Sequence, residues 1–187
     1  RDWSSDVCSS DLKNNLQHGE IIPRPSDRWQ KFDKKIMPWS KTGRNIIVAA
    51  PDEKPCRFYG IDLETWILNT VDTIKKYTDR PVIVRHRSAK RIDRIQNDTL
   101  EQALEDAFAL VTFNSVAATE AVFLGIPAFT LAPANAASPV SLQDLSQIES
   151  PYYADKDKLY AWACHLAYGQ FHNTELANGW AQKILDT

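Results

Sequence analysis

A polar group of residues interrupts an otherwise apolar stretch between positions 113 and 128. Asn114, Ser115 and Val116 follow an apolar run, and Glu120 comes about one helical turn later among alanine, valine and phenylalanine residues. The change to small residues predicts a tight turn and the start of a helix, where free backbone N–H groups and the helix dipole suit a phosphate. We interpret the first three residues as phosphate-binding and Glu120 as a carboxylate that accepts hydrogen bonds from a ribose diol. The alternative for Glu120 is a solvated glutamate on a helix face.

A second group of residues that suits phosphate is basic. Five cationic side chains lie within ten positions, namely Arg85, Arg87, Lys90, Arg91 and Arg94. Guanidinium groups bind phosphate oxygens in a bidentate fork, so we predict that Arg85 and Arg87 neutralise nucleotide phosphates. His86 and Ser88 belong to the same predicted binding loop. The alternative is a solvated basic loop.

The elements that must position these side chains alternate between strands and helices. Continuous apolar runs predict four strands, at residues 45–50, 81–85, 108–113 and 128–132. Three helices are predicted between them: Asp62 caps the first, Thr99 and Gln102 form a capping box for the second, and Gly125 ends the third. Residues 51–60 are predicted to form a loop.

This alternation is typical of one fold class. It predicts an α/β fold with a Rossmann-like parallel sheet, flanking helices and right-handed crossovers. Ligands of such sheets bind beyond the carboxyl ends of the strands. Both polar groups fall at that edge, so we expect them to contribute to one nucleotide-binding site.

The chain divides into four parts by composition. Residues 1–12 resemble the translated sequence of a DNA-sequencing library adapter and are set aside from the fold prediction. Residues 13–44 are polar and irregular, and are predicted to be a linker or the remnant of a truncated N-terminal domain. Residues 45–150 form the predicted Rossmann-like domain, and residues 151–187 a C-terminal extension of two helices. We therefore expect the chain to be the C-terminal part of a longer protein.

Charge and composition favour an ordinary globular domain. The formal net charge is −2, but without Arg1 and the three aspartates of residues 1–12 the chain has 21 basic and 21 acidic residues. A neutral chain is not an obvious polyanion binder by bulk charge. No membrane span and no secretory signal are visible in the sequence, and a reducing cytoplasm is the default expectation. Cys56 and Cys164 lack the spacing of metal ligands or redox pairs.

Three polar features near the C-terminus are interpreted as structural. Asp155-Lys156-Asp157 precedes a predicted helix, which favours a helix cap over a metal site. His165 and His172 lie in the predicted terminal helices and are interpreted as structural residues. Because cationic side chains and a helix N-terminus can stabilise a leaving phosphate, we predict no metal requirement and no cofactor.

The spacing between Asn114 and Pro127 resembles a known family. The pattern Asn-Ser-(x)4-Glu-Ala-(x)3-Gly-x-Pro is similar to the donor-binding half of GT-B glycosyltransferases, and closest to the capsule-polysaccharide and Kdo-transferase-like group. The similarity covers about twenty residues strongly. Those families show Lys/Arg-x-His-Pro after the second strand, whereas this chain has Arg85-His86-Arg87-Ser88.

The resemblance implies a function and its partners. It implies that the chain is one half of a GT-B fold, with terminal helices that pack back against the N-terminal half. The ligand would be a nucleotide sugar, whose sugar is transferred to an acceptor hydroxyl. The acceptor would be a glycan or lipid-linked sugar, or in a phage a modified DNA base. The catalytic base would lie in the N-terminal half, so no catalytic residue is assigned here.

Two other functions stay open at this point. One is a nucleotide-sugar epimerase on the same fold, and the other is a non-catalytic binding or structural module, of phage origin for example. The sequence contains no Gly-rich phosphate loop of either standard form and no Gly-x-Ser-x-Gly turn. These absences argue against a P-loop nucleotidase, a dinucleotide dehydrogenase and an α/β-hydrolase.

Overall fold

Four apolar segments pair as the strands of one parallel sheet. The computed structural model describes residues 19–86, 99–132, 134–171, 173–180 and 183. Its strands are β1 (Asn45–Ala49), β2 (Val82–Arg85), β3 (Ala107–Thr112) and β4 (Ala128–Thr130). They are all parallel and lie in the order β2-β1-β3-β4. The Rossmann-like parallel α/β sheet predicted from the sequence is therefore confirmed.

Six α-helices and three short 3-10 helices accompany these strands in the described ranges. The α-helices are α1 (Glu53–Tyr59), α2 (Leu63–Lys75), α3 (Leu100–Leu104), α4 (Ala117–Phe123), α5 (Lys156–Tyr168) and α6 (Asn173–Ala177). The 3-10 helices are Trp29–Lys31, Ser138–Val140 and Leu145–Gln147.

Helix α1 corrects the predicted loop at residues 51–60. Asp52 is extended at the N-cap, Pro55 lies inside the first turn, and Gly60 ends the helix in the left-handed conformation (φ 65°, ψ 32°). Proline is tolerated in the first turn because its missing N–H has no partner there in any helix. The segment therefore carries ordinary start and stop signals, but it is too short for helical periodicity to be evident.

The sheet is covered on both faces, and the two faces use alternate strand residues. Ile47 and Ala49 of β1 face a cluster that includes α4 and α5, whereas Ile46 and Val48 face a cluster that includes Ile74 of α2. This alternation follows from the period of two in a strand. Two-sided coverage explains why the strands read as continuous apolar runs.

The helix caps predicted from the sequence are confirmed. Asp62 Oδ1 accepts a hydrogen bond from Thr65 N–H (2.9 Å), and Thr99 and Gln102 form a reciprocal capping box. Asp155 Oδ1 accepts from Lys158 N–H (2.8 Å) at the start of α5. The Asp155-Lys156-Asp157 string thus begins a helix, as the sequence indicated.

The segment from residue 19 to residue 44 lies against the domain rather than apart from it. Trp29 is buried and stacks on Phe123, with ring centroids 5.3 Å apart. Trp39 donates its indole N–H to the Ala154 carbonyl (2.8 Å). Met37 N–H bonds to Phe123 O (2.8 Å). These contacts tie the segment to the end of α4 and to the residues before α5.

The two C-terminal helices differ in burial. In α5 the apolar residues at helical spacing are buried, namely Leu159, Trp162, Ala163 and Leu166. In α6 no residue is buried, and Leu176 is exposed. Across the described residues, each helix is too short or too polar to cross a bilayer.

Candidate functional site

The strand order creates a switch point between β1 and β3. From β1 the chain continues to β2 on one side, and from β3 it continues to β4 on the other. The helices that follow, α2 and α4, pack on opposite faces of the sheet. Such an arrangement opens a crevice beyond the carboxyl ends of the two central strands, which is where open α/β sheets bind ligands.

A side-chain hydrogen bond joins the two central strands beside this crevice. The hydroxyl of Thr112, the last residue of β3, donates to the Ala49 carbonyl at the end of β1 (2.9 Å), and both residues are buried. The bond satisfies a polar group that has no access to water. It holds the two strand ends in register at the base of the crevice.

The loop after β3 presents the predicted phosphate-binding residues. Asn114 and Ser115 are half-buried, and Val116 is 42% exposed. The Ser115 hydroxyl accepts a hydrogen bond from Ala117 N–H (3.2 Å), which shapes the turn into α4. All three residues therefore lie at the carboxyl edge of the sheet, next to the switch point.

Asn135 supports this loop and was missed by the sequence analysis. It is buried in the segment after β4, where its Nδ2 donates to the Ser115 carbonyl (3.2 Å) and its Oδ1 accepts from Ala137 N–H (2.8 Å). The loops after β3 and β4 are thus joined. The sequence does show an asparagine shortly after a strand. It does not show the hydrogen-bond partner of that side chain, because Ser115 is 20 positions away.

Glu120 lies one helical turn beyond Val116. Its backbone N–H bonds to the Val116 carbonyl (3.2 Å), and its side chain is half-buried. Residues four apart share a helix face. Glu120 is therefore on the same face of α4 as the exposed Val116.

The loop after β2 begins at the same edge. Arg85 pairs with Ala49, and Ala49 also pairs with Thr112, so β1 separates Arg85 from the end of β3. Two strand spacings place their backbones roughly 10 Å apart. Arg85 is half-buried and His86 is exposed. Arg87 and Ser88 lie outside the described residues, together with Lys90, Arg91 and Arg94.

An aromatic row at the carboxyl edge was also missed. Tyr59 contacts Phe113 edge-to-face with centroids 5.2 Å apart, and Phe58 contacts Tyr59 in the same way at 4.9 Å. Trp66 of α2 contacts Phe113 at 6.5 Å. The row, defined as Phe58, Tyr59, Phe113 and Trp66, ends next to Asn114. The adjacent aromatic residues Phe58 and Tyr59 are evident in the sequence. Their position next to Phe113 depends on helix α1, which the sequence did not predict.

A cavity of about 800 Å³ lies at the opposite, amino-terminal edge of the sheet. None of the predicted site residues lines it. Its charged groups include two ion pairs, Arg44 with Asp106 (2.8 Å) and Arg80 with Glu149 (3.0 Å). Arg80 also donates to the Gly43 carbonyl (3.0 Å). Because these groups bind one another, we assign them a structural role in joining the loops below the sheet.

Glu149 makes stability depend on pH. Partial burial raises the pKa of its carboxyl, but hydrogen bonds from Thr78 and Arg80 and the Arg80 charge together hold that pKa below the ordinary value. The contribution of Glu149 to the free energy of unfolding is therefore fully present above the ordinary glutamate pKa. It is lost as the pH falls through the lowered pKa of the folded state. We expect the urea midpoint of the parent to fall more between pH 6 and pH 3 than that of Glu149→Gln.

The matched control for this measurement is Asp72→Asn on the exposed side of α2. Its midpoint should follow the parent across the same pH range. Because the Glu149 side chain is 44% exposed and solvent screens its ion pair, the difference should amount to about 1 kcal/mol or less. Identical pH profiles for Glu149→Gln and the parent would contradict the assignment.

His165 and the two cysteines of the described ranges are buried. His165 is buried, and its Nδ1 accepts a hydrogen bond from Ile22 N–H (3.3 Å). His172 lies outside those ranges. Cys56 and Cys164 are buried free thiols, and burial is the main cause that raises the pKa of each. Over the same ranges, no three His, Cys, Asp or Glu side chains are grouped as a metal site would require.

Comparisons with protein-family models, with curated proteins and with solved structures found no match to this chain.

Proposed function

We propose that the chain is the donor-binding domain of a GT-B-like glycosyltransferase and that it binds a nucleotide sugar. The observation that carries this proposal is the strand order, which places a switch point between β1 and β3. Arg85 ends β2 and Ser115 lies in the loop after β3, so both lie at this edge of the sheet. The resemblance of residues 114–127 to the donor-binding half of such enzymes indicates that the ligand is a nucleotide sugar.

Each predicted residue has a role in this proposal. Arg85 and the following residues, His86, Arg87 and Ser88, neutralise the phosphates from the β2 side. Asn114, Ser115 and Val116 bind the phosphates from the β3 side, where Ser115 is fixed by Ala117 and Asn135. Glu120, one turn further on the same helix face, accepts hydrogen bonds from the ribose diol.

The reaction follows from the bond that a nucleotide sugar contains. The bond between the sugar carbon and the phosphate oxygen breaks, and the nucleotide leaves with the electron pair. The acceptor hydroxyl forms the new bond, and its proton passes to a base in the N-terminal half of the enzyme. Cationic side chains near the leaving phosphate stabilise its developing charge. In this scheme the present chain binds the donor and stabilises the leaving group.

Nucleotide titration tests the proposal. We expect the parent chain to bind one class among UDP-, CMP- and GDP-sugars in isothermal titration calorimetry. Glu120→Gln keeps the shape of the side chain but removes its charge, so the affinity should fall about 10-fold, or about 1.4 kcal/mol. Asp72→Asn, which removes a carboxylate on α2, should bind like the parent.

Two outcomes contradict the proposal in different ways. The absence of measurable affinity for every nucleotide sugar would favour a non-catalytic module. Altered sugar stereochemistry in the absence of an acceptor would favour a nucleotide-sugar epimerase. In the first case Glu120→Gln and the parent would behave alike.

A further inference from the structure

Phe58 and Tyr59, the exposed end of the aromatic row, are held in a fixed position by the end of helix α1. Cys56, on the inner side of α1, is buried, and Ile61 N–H bonds to the Cys56 carbonyl (2.8 Å) where the helix ends. Gly60 turns the chain immediately after Tyr59. Phe58 is nevertheless 82% exposed and Tyr59 45% exposed. Two adjacent aromatic side chains are thus presented to solvent by a braced helix end.

The row is continuous with the candidate site. Phe113 is in edge contact with Tyr59 and is the residue directly before Asn114. The aromatic row and the predicted phosphate-binding loop are therefore joined directly through Phe113. A ligand that occupied both would need a flat, polarisable ring close to its phosphate.

Helix α1 carries two exposed cations as well as Phe58, together with Glu53 and the N-cap residue Asp52, which balance their charge. Lys54 and Arg57 are exposed on the same short helix as Phe58. Within the described ranges no ion pair involves either of them. Exposed cations combined with exposed aromatic rings are typical of surfaces that bind nucleotides, because the rings stack on the base while the cations attract the phosphate.

We propose that Phe58 and Tyr59 form the stacking surface for the base of the bound nucleotide. This inference rests on the proposed nucleotide-binding function and names the part of the site that would hold the base. Phe58 stacks on the base, Tyr59 supports Phe58, and Phe113 connects both to the phosphate-binding loop. Base stacking on an aromatic side chain contributes about 1–3 kcal/mol and tolerates different bases, which corresponds to roughly 5- to 150-fold in affinity.

The test compares a nucleotide with a sugar phosphate that lacks a base. The probes are UDP, CMP, GDP and ribose 5-phosphate, titrated into the parent, Phe58→Ala, Phe58→Trp and Tyr160→Ala. Tyr160 lies on α5 and is 45% exposed, like Tyr59, so it controls for loss of an exposed aromatic side chain. Because Phe58 is so exposed, its replacement should leave the far-UV circular dichroism spectrum and the urea midpoint unchanged.

The expected result is selective for the base. Phe58→Ala should weaken binding of the preferred nucleotide about 10-fold and leave ribose 5-phosphate unchanged, while Phe58→Trp should retain or strengthen nucleotide binding. Tyr160→Ala should match the parent for every probe.

Three results would overturn the inference. If Phe58→Ala binds the nucleotide as the parent does, or weakens both probes equally, the ring does not stack on the base, although nucleotide binding itself stands. If the parent binds ribose 5-phosphate as tightly as any nucleotide, the base makes no contact. If the parent binds no nucleotide, the proposed function fails as well.

Discussion

Replacing Arg28 by alanine is expected to lower the free energy of unfolding by about 3–5 kcal/mol, since it breaks a mostly buried ion pair. Arg28 is 5% exposed. Its guanidinium donates to both carboxylate oxygens of Glu175 (2.9 and 3.1 Å) and to the carbonyls of Ala167 (3.0 Å) and Gln170.

Aromatic rings surround the same guanidinium. Arg28 lies over the rings of Tyr168, Phe171 and Trp180, at 5.6, 5.4 and 4.6 Å from their centroids. These rings and the Arg28 hydrogen bonds join the segment before the sheet to the C-terminal helices, which are more than 130 positions away in the chain. Truncation to alanine removes the guanidinium that donates to both oxygens of the partly buried Glu175 carboxylate.

The measurement is urea unfolding, with an unchanged slope and a lower midpoint as the signature of lost stability. Arg24→Ala is the matched control, because Arg24 also lies over the Tyr168 ring (5.5 Å) but is less buried. It should cost about 1 kcal/mol or less. Arg28→Lys should fall between the two, since lysine keeps the charge but lacks the planar fork. Equal losses for Arg28→Ala and Arg24→Ala would show that the ion pair contributes little.

Replacing Gly125 by alanine is expected to cost about 3 kcal/mol. Gly125 has φ +78°, a conformation that costs an L-residue about 1–2 kcal/mol. A Cβ there would also lie 2.1 Å from the carbonyl oxygen of Pro38. Since that neighbour is backbone, the segment around Pro38 would have to move. The hydrogen bond from Ser40 N–H to Gly125 O (2.7 Å) would then weaken, as would the one from Met37, and each contributes about 1 kcal/mol.

Gly60→Ala separates these two causes. Gly60 also has a positive φ, +65°, but no atom from another part of the chain lies within 4 Å of the position of its Cβ. Gly60→Ala should therefore lower the free energy of unfolding only through the positive φ, by about 1–2 kcal/mol. Urea midpoints of the two variants, measured together, give the contribution of the close approach as their difference. A Gly60→Ala variant as unstable as Gly125→Ala would mean that the contact with Pro38 is unimportant.

The parts of the fold that could be predicted are those set by neighbours in the chain. A strand covered on both faces must be apolar at every position, and a helix start needs an acceptor within three residues, so β1, β3 and the caps at Asp62, Thr99 and Asp155 were evident. The third strand was predicted to begin at residue 108, whereas β3 begins at Ala107, shortly after a short helix. An apolar residue between a short helix and a strand fits both patterns.

The candidate site was predictable only in part for the same reason. Asn114, Ser115 and Glu120 are close in sequence, so one motif identifies them. Asn135, which supports the Ser115 loop, and Phe58, which adjoins Phe113 through Tyr59, reach the site only through tertiary contacts. A hydrogen-bond donor or ring in a distant loop gives no local signal of its partner.

The sequence by itself determined the alternation of strands and helices, and with it a parallel sheet, because successive strands joined by helices must run in the same direction. Only the tertiary structure decided that β1 lies between β2 and β3, since strand order depends on which hydrophobic faces pack together. That order places the switch point beside Asn114 and Ser115. It also decided that Arg28 and Trp29 complete the domain, because their partners are more than 90 residues away and no local pattern connects them.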